Sequence, residues 1–194
     1  MTFRQRFLQK LYPIIMRLSR NGDKGRILFK PKATRAIEPS SLVEITLSNG
    51  KQVPLSQFAG KKVMLVNTAS DCGYTGQFAE LQRLHEQMGD KLQIIGLPSN
   101  DFKEQEKADD KAISEFCQVN FGVTFPLAKK SVVLKKDGQN PVFQWLTDPS
   151  KNGWNEQAPD WNFSKYLLNE QGELMAYFGP AISPEDEQIT SLIR

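Results

Sequence analysis

The sequence predicts an α/β sandwich on a mixed sheet with a parallel centre. Residues 62–67 (KVMLVN) and 92–97 (LQIIGL) are short, largely apolar runs of the kind that form fully buried strands. Between them Phe78, Leu81, Leu84 and Met88 recur at helical spacing, and Gly89-Asp90 supplies a stop. Strand, helix and strand within about 35 residues make a βαβ unit, so the two strands run parallel and the crossover is right-handed. Further on, Phe163 to Leu168 and Leu174 to Phe178 flank the turn Asn169-Glu170-Gln171-Gly172 and read as an antiparallel pair at a sheet edge.

The remaining elements fill in around this centre. Phe3, Phe7, Leu11, Ile14, Ile15 and Leu18 recur at helical spacing with Arg and Lys between them, which predicts an amphipathic leader helix bent or interrupted at Pro13. Such a helix lies in a membrane interface or docks on its own domain, and the sequence leaves both open. Residues 21–41 are rich in Gly, Pro and Lys without periodicity and read as linker. Val43, Ile45 and Leu47, then Ser48-Asn49-Gly50, then Val53 and Leu55 give a hairpin. A helix fits Asp110 to Val119, with Ile113, Phe116 and Cys117 facing inward, and a shorter one fits Val142 to Leu146. Ser183-Pro184-Glu185 starts a closing helix, with Ser as cap and Pro at the first position. A parallel centre, an antiparallel edge and helices on both faces describe a thioredoxin-like fold. The expected organisation is a basic leader and linker over 1–41 and one domain over 42–194.

Charge narrows the function classes. Residues 1–36 hold ten Lys/Arg and one acid, Asp23, while the rest has 15 basic and 21 acidic residues. The net charge of +3 is therefore a basic leader ahead of a mildly acidic domain, not a nucleic-acid-binding surface. No run approaches the roughly 18 apolar residues of a spanning helix. Two cysteines 45 positions apart form neither a disulfide framework nor a Cys-x-x-Cys pair, and the single histidine, His85, leaves too few ligands for a Cys/His metal site. A reducing cytoplasm is the simpler compartment for such a chain.

Cys72 falls where a strand ends and a helix begins, in 67–75 (NTASDCGYT). Free N–H groups and the positive end of the helix dipole favour a thiolate there, so its pKa is expected below the free value of about 8.5. Position alone leaves a nucleophile and a small buried hydrophobe both open. The neighbouring words separate them. Asn67-x-Ala69-Ser70-x-Cys72-Gly73 resembles the peroxidatic-cysteine motif of the glutathione peroxidases. Pro98 through Glu106 (PSNDFKEQE) is similar to that family's Pro-x-Asn-x-Phe-x-x-Gln-Glu block, and Trp161-Asn162-Phe163-Ser164-Lys165 to its Trp-Asn-Phe-x-Lys block. The resemblance runs from about Leu42 to the C-terminus.

It implies a catalytic tetrad of Cys72, Gln105, Trp161 and Asn162, with no cofactor. Thiolate attack on a peroxide oxygen moves negative charge off sulfur, and neutral donors held in place suit that transition state. Gln105 and Asn162 carry amide N–H groups and Trp161 an indole N–H. The pair Trp154-Asn155 lacks the Phe-x-Lys continuation and reads as loop; His85 reads as an exposed helix residue. Gly76 stands where the family usually has Pro, Ser99 where Cys is common, and Lys103 where Gly is usual. Cysteine rather than selenocysteine implies the slower type. The short 146–161 segment leaves little room for the loop that assembles the family's tetramers, which implies a monomer, and relatives without that loop often use thioredoxin rather than glutathione as reductant. Cys117 is the candidate resolving cysteine, although it falls one residue before the usual position, occupied here by Gln118. The expected substrates are hydrogen peroxide and organic or lipid hydroperoxides, with membrane-surface contact through residues 1–36. A redox-sensing or membrane-surface module is the non-enzymatic alternative.

Overall fold

A computed structural model describes all 194 residues. Strands β4 (Lys62–Thr68) and β5 (Leu92–Pro98) are parallel and in register from Lys62 opposite Leu92 to Thr68 opposite Pro98. Helix α2 (Gln77–Met88) crosses between them. Side chains of β4 alternate between two cores. Met64 and Val66 meet Phe78, Leu81 and Leu84 of α2 on one face. Val63 and Leu65 meet Val43, Ile45, Val53 and Leu55 of the hairpin β2 (Glu44–Thr46) and β3 (Gln52–Pro54) on the other. That face is completed by α4 (Pro141–Leu146), whose Val142, Phe143, Trp145 and Leu146 are all buried. The first face takes α3 (Asp110–Phe121) through Ile113 and Cys117, with Phe116 half-buried, and α6 (Glu187–Ile193) through Ile189 and Ile193. One period-2 strand thus serves two helical layers, the thioredoxin-like sandwich.

The antiparallel pair is inside the sheet rather than at its edge. β6 (Lys165–Leu168) pairs with β4, β7 (Leu174–Phe178) pairs with β6, and the order is β1-β7-β6-β4-β5. The outer strand is β1 (Ile27–Phe29), antiparallel to β7, from the stretch expected to be linker. Three residues are too few to establish an alternation, so periodicity could not reveal it. The division expected at residue 41 is therefore not a division in the sheet. The closing helix also differs: Asp186, not Ser183, caps α6 by accepting from Gln188 N–H at 3.0 Å. Ser183 instead donates to Glu80 at 2.7 Å, and Ser183–Asp186 is a turn.

The leader is one continuous helix, α1 (Phe3–Ser19), with Pro13 inside it. Thr2 and Gln5 form a reciprocal capping box. Tyr12, Ile15 and Met16 pack on the core that contains Cys72, so one face of α1 docks on its own domain. No helix is long and apolar enough to cross a membrane. Tyr12 also explains the missing proline. A Cβ built on Gly76 would lie 2.6 Å from the Tyr12 ring, whose hydroxyl donates to Glu80 at 2.6 Å. Substituting Gly76→Ala should therefore cost about 1–3 kcal/mol of stability through overpacking. In a Tyr12→Ala background the same change should cost far less, and a urea double-mutant cycle measures the difference.

Candidate active site

Cys72 lies in a run of turns between β4 and α2, with its side chain 1% exposed. The helix starts five residues later than the cysteine, at Gln77, after Thr75 N–H closes on Cys72 C=O at 3.1 Å. Cys72 therefore does not sit in the first turn of α2, as its sequence position suggested. The sulfur instead accepts the Tyr74 N–H at 3.4 Å. Thr75 Oγ1 accepts from Cys72 N–H at 3.1 Å, which fixes the turn. Helix α1 lies along this loop. Gln5 donates to Ser70 C=O at 3.2 Å, Arg4 pairs with Asp71, and Ile15 rests on Gly73.

Trp161 and Asn162 arrive from the loop before β6, and their side-chain donors lie close enough to the Cys72 sulfur to favour its thiolate. A brace from the end of β4 positions them. Asn67, fully buried, donates to Trp161 C=O at 3.0 Å and accepts from Ser164 N–H at 3.0 Å. Its own carbonyl accepts from Phe163 N–H. The segment closes around Asn67 with Phe163 at φ 70°, a conformation costly for a bulky residue and persistent only where the surroundings enforce it. An Asn ending an apolar strand run was the available sequence signal for this residue.

Gln105 joins the site through Asn162. Its Oε1 accepts from Asn162 Nδ2 at 3.0 Å, so it orients the asparagine. Its carbonyl accepts from Asp71 N–H at 3.0 Å, which ties its loop to that of Cys72. Lys103 and Glu104 both adopt positive φ (50° and 52°) before it, which accounts for glycine being usual at the first position. The structure thus brings Cys72, Gln105, Trp161 and Asn162 together. Trp154 and Asn155 are elsewhere: the indole donates to Leu174 C=O at 2.8 Å, and the buried amide of Asn155 donates to Leu146 C=O at 2.6 Å. His85 is half-buried rather than exposed, edge-on to Phe125, and burial holds its imidazole below the usual range.

Electrostatics oppose the expectation of a lowered thiol pKa. Burial pushes the Cys72 thiol up. The Tyr74 N–H, the Trp161 and Asn162 donors and the Lys24 charge all work against it, in that order. Desolvation raises the energy of a sulfur anion, and the donors recover part of it at the atom where charge resides. Cys117 is also buried, next to Ile113 on the inner face of α3, and shares the apolar cluster of Cys72. Burial, then the nearby Glu106 carboxylate, push its thiol far above the ordinary range. Both cysteines are free. No group of three or more His, Cys, Asp or Glu is arranged to hold a metal ion.

The family model for glutathione peroxidase matches residues 42–147. The chain belongs to the glutathione peroxidase family. A glutathione peroxidase homolog of Bacillus subtilis is 38% identical over 145 residues, covering 74% of this chain and 90% of the relative. A glutathione peroxidase-like peroxiredoxin of Chlamydomonas reinhardtii is 43% identical over 140 residues, 72% of this chain and 85% of that one. Among solved structures, the apo form of Trgpx superposes with a TM-score of 0.60 at 28% identity, covering 81% of this chain and 97% of its own. The chain is accordingly a thiol-dependent peroxidase, an oxidoreductase. The family match begins at residue 42, so α1 and β1 precede it.

Glu106 was not singled out in the sequence, yet it is buried beneath the site. It accepts from Ser70 N–H and Ser70 Oγ, both at 2.7 Å, two residues before Cys72. Burial pushes its carboxyl from 4.5 up to about 7 against those bonds and Lys130. Across that window the folded protein keeps a proton that the unfolded chain has lost. A stabilising contribution present below pH 4.5 is therefore lost as the pH rises to about 7. Wild type should lose roughly 2 kcal/mol more than Glu106→Gln over that range, by urea unfolding. Parallel profiles would mean that Glu106 is ionised throughout.

Proposed function

We propose that the peroxidase works in two stages inside one apolar cluster, with Cys72 taking the oxygen and Cys117 resolving it. The carrying observation is that both free thiols belong to the same buried cluster on the α2–α3 side of the sheet. The Cys72 thiolate attacks the outer oxygen of a hydroperoxide. The S–O bond forms as the O–O bond breaks, and the departing alkoxide takes up the proton released when the thiol ionised. Cys72 becomes a sulfenic acid and the substrate an alcohol, or water from hydrogen peroxide. Trp161 and Asn162 hold the sulfur anion before attack and follow the shifting charge with neutral N–H groups. The Cys117 thiol then condenses with the sulfenic acid, expelling water and leaving a disulfide. A thioredoxin-type dithiol reduces that disulfide by exchange.

A disulfide needs the two Cα atoms within about 7 Å, and in this cycle local opening of α3 brings Cys117 from the inner face of its helix to the Cys72 sulfur. Hydrogen exchange in the middle of α3 therefore belongs to the cycle. Oxidation with one equivalent of tert-butyl hydroperoxide, followed by peptide mapping, is expected to yield a Cys72–Cys117 disulfide. A lasting sulfenic acid on Cys72 with Cys117 still free would overturn the two-cysteine cycle and assign reduction to an external thiol such as glutathione.

The outward face of α1 supports a second proposal, that the enzyme works as a monomer at the cytoplasmic surface of an anionic membrane. Phe3 and Leu18 are 88% and 77% exposed, and Phe7 and Ile14 are exposed on the same stripe. At about 100° per residue these four span about 60° of the helix, with Arg6, Lys10 and Arg17 along one flank. Apolar insertion plus basic attraction, about 1 kcal/mol per cation near the surface, suits lipid that carries hydroperoxides. Because β1 is part of the sheet, point changes are the appropriate test. Phe3→Ser/Phe7→Ser/Leu18→Ser should abolish co-sedimentation with phosphatidylserine vesicles while activity on soluble peroxide persists. Unchanged sedimentation would remove this proposal.

A further inference from the structure

Lys24 lies outside the family match, in a one-turn 3-10 segment (Asp23–Gly25) between α1 and β1. Its ammonium nitrogen is 4.7 Å from the centre of the Trp161 ring and 5.8 Å from that of Tyr74. Both belong to the peroxidatic site: the Tyr74 N–H hydrogen-bonds to the sulfur, and the Trp161 side chain favours its thiolate. We propose that Lys24 is a positioning residue for peroxide reduction, a cation that seats the Trp161 indole and stabilises the Cys72 thiolate from a segment outside the family match.

Three observations carry this. First, the placement is built into the backbone. Lys24 C=O accepts from Ala181 N–H at 2.7 Å, and a side chain on Gly179 would collide with that same carbonyl. Gly25 packs so tightly on Arg20 C=O that no Cβ fits. The 179–182 turn is itself held from below by the buried ammonium of Lys165, which donates to Ile182 C=O at 2.5 Å and Gly179 C=O at 3.3 Å. Second, Lys24 has no carboxylate partner. The adjacent acid, Asp23, is taken by Arg26 at 3.0 Å, and no salt bridge includes Lys24. A half-buried ammonium with only aromatic faces beside it is best satisfied by an anion that forms during the reaction. Third, the Lys24 charge counts among the influences that favour the Cys72 thiolate.

Other charged or titratable groups surround the cysteine from each neighbouring element. Tyr74 lies in its own turn, Asp71 is paired with Arg4 of α1, Glu106 is braced on Ser70, and Lys103 is 5.7 Å from the Trp161 ring centre on its exposed side. Lys103 is the natural comparison, because it stacks on the same indole but stands in solvent.

The experiment measures iodoacetamide alkylation of Cys72 against pH, quantified at its own peptide, so neither a peroxide nor a reductant enters. Lys24→Met should move the midpoint upward by about one pH unit and slow alkylation at pH 7 roughly tenfold. Lys24→Arg should restore the rate to within about twofold of wild type, and Lys103→Met should shift the midpoint by less than a third as much. A purely structural role would loosen the site and accelerate alkylation in Lys24→Met. Acceleration, an unmoved midpoint, or an equal shift in Lys24→Arg or Lys103→Met would each overturn the proposal.

Discussion

The active site hangs on Asn67. This amide lies at the end of the interior strand β4 and bonds to both sides of the 161–164 segment, donating to Trp161 C=O and accepting from Ser164 N–H. The carbonyl of the same residue takes the Phe163 N–H, and the backbone turns through positive φ to make that bond. The indole and amide beside the sulfur are thereby referenced to a buried strand paired on both sides rather than to a loop. Removing one partner of such a buried pair leaves the other unsatisfied, which costs more than the bond contributes. Gln105 then aligns Asn162 from a second loop, and that loop is tied to Cys72 through Asp71 N–H. Three loops far apart in sequence converge because each is hydrogen-bonded to another.

Burial at Cys72 sets two demands against each other. A sulfur shielded from water is protected from indiscriminate oxidation, but its anion loses hydration. Neutral donors from Tyr74, Trp161 and Asn162, with one cation nearby, offset that loss without introducing a titrating base. The same reasoning separates the two cysteines. Cys117 has burial and a neighbouring carboxylate but no compensating donors, so it stays a thiol.

Much of this was legible in the sequence because it depends on local pattern. The apolar runs of β4 and β5, the helical stripe of α2 and the Ser48-Asn49-Gly50 hairpin all appear where their periodicity places them. The grouping of Cys72, Gln105, Trp161 and Asn162 was legible only through its motifs, since a Gln between Glu104 and Glu106 has no local reason to turn toward a buried asparagine. What the sequence did not disclose depends on distant partners. β1 is three residues long and exists because β7 offers an edge. Gln105 meets the site through Asn162, whose amide it accepts from, a pairing across 57 residues. The direction of the Cys72 shift follows from burial beneath α1 and the core, which no nine-residue window contains. Lys24 carries no signal at all among ten basic residues of the leader; only the 179–182 turn singles it out.

The contact of Tyr12 with Gly76 links the leader to the domain that the family match covers. The leader is not an accessory exchangeable without consequence. Its aromatic ring occupies the volume where a side chain at position 76 would begin. Residue 76 and the leader are therefore coupled sterically: any side chain at position 76 displaces the Tyr12 ring, and with it the face of α1 that rests on the peroxidatic loop. The loop's outer contour is in this sense a mould of the helix laid over it.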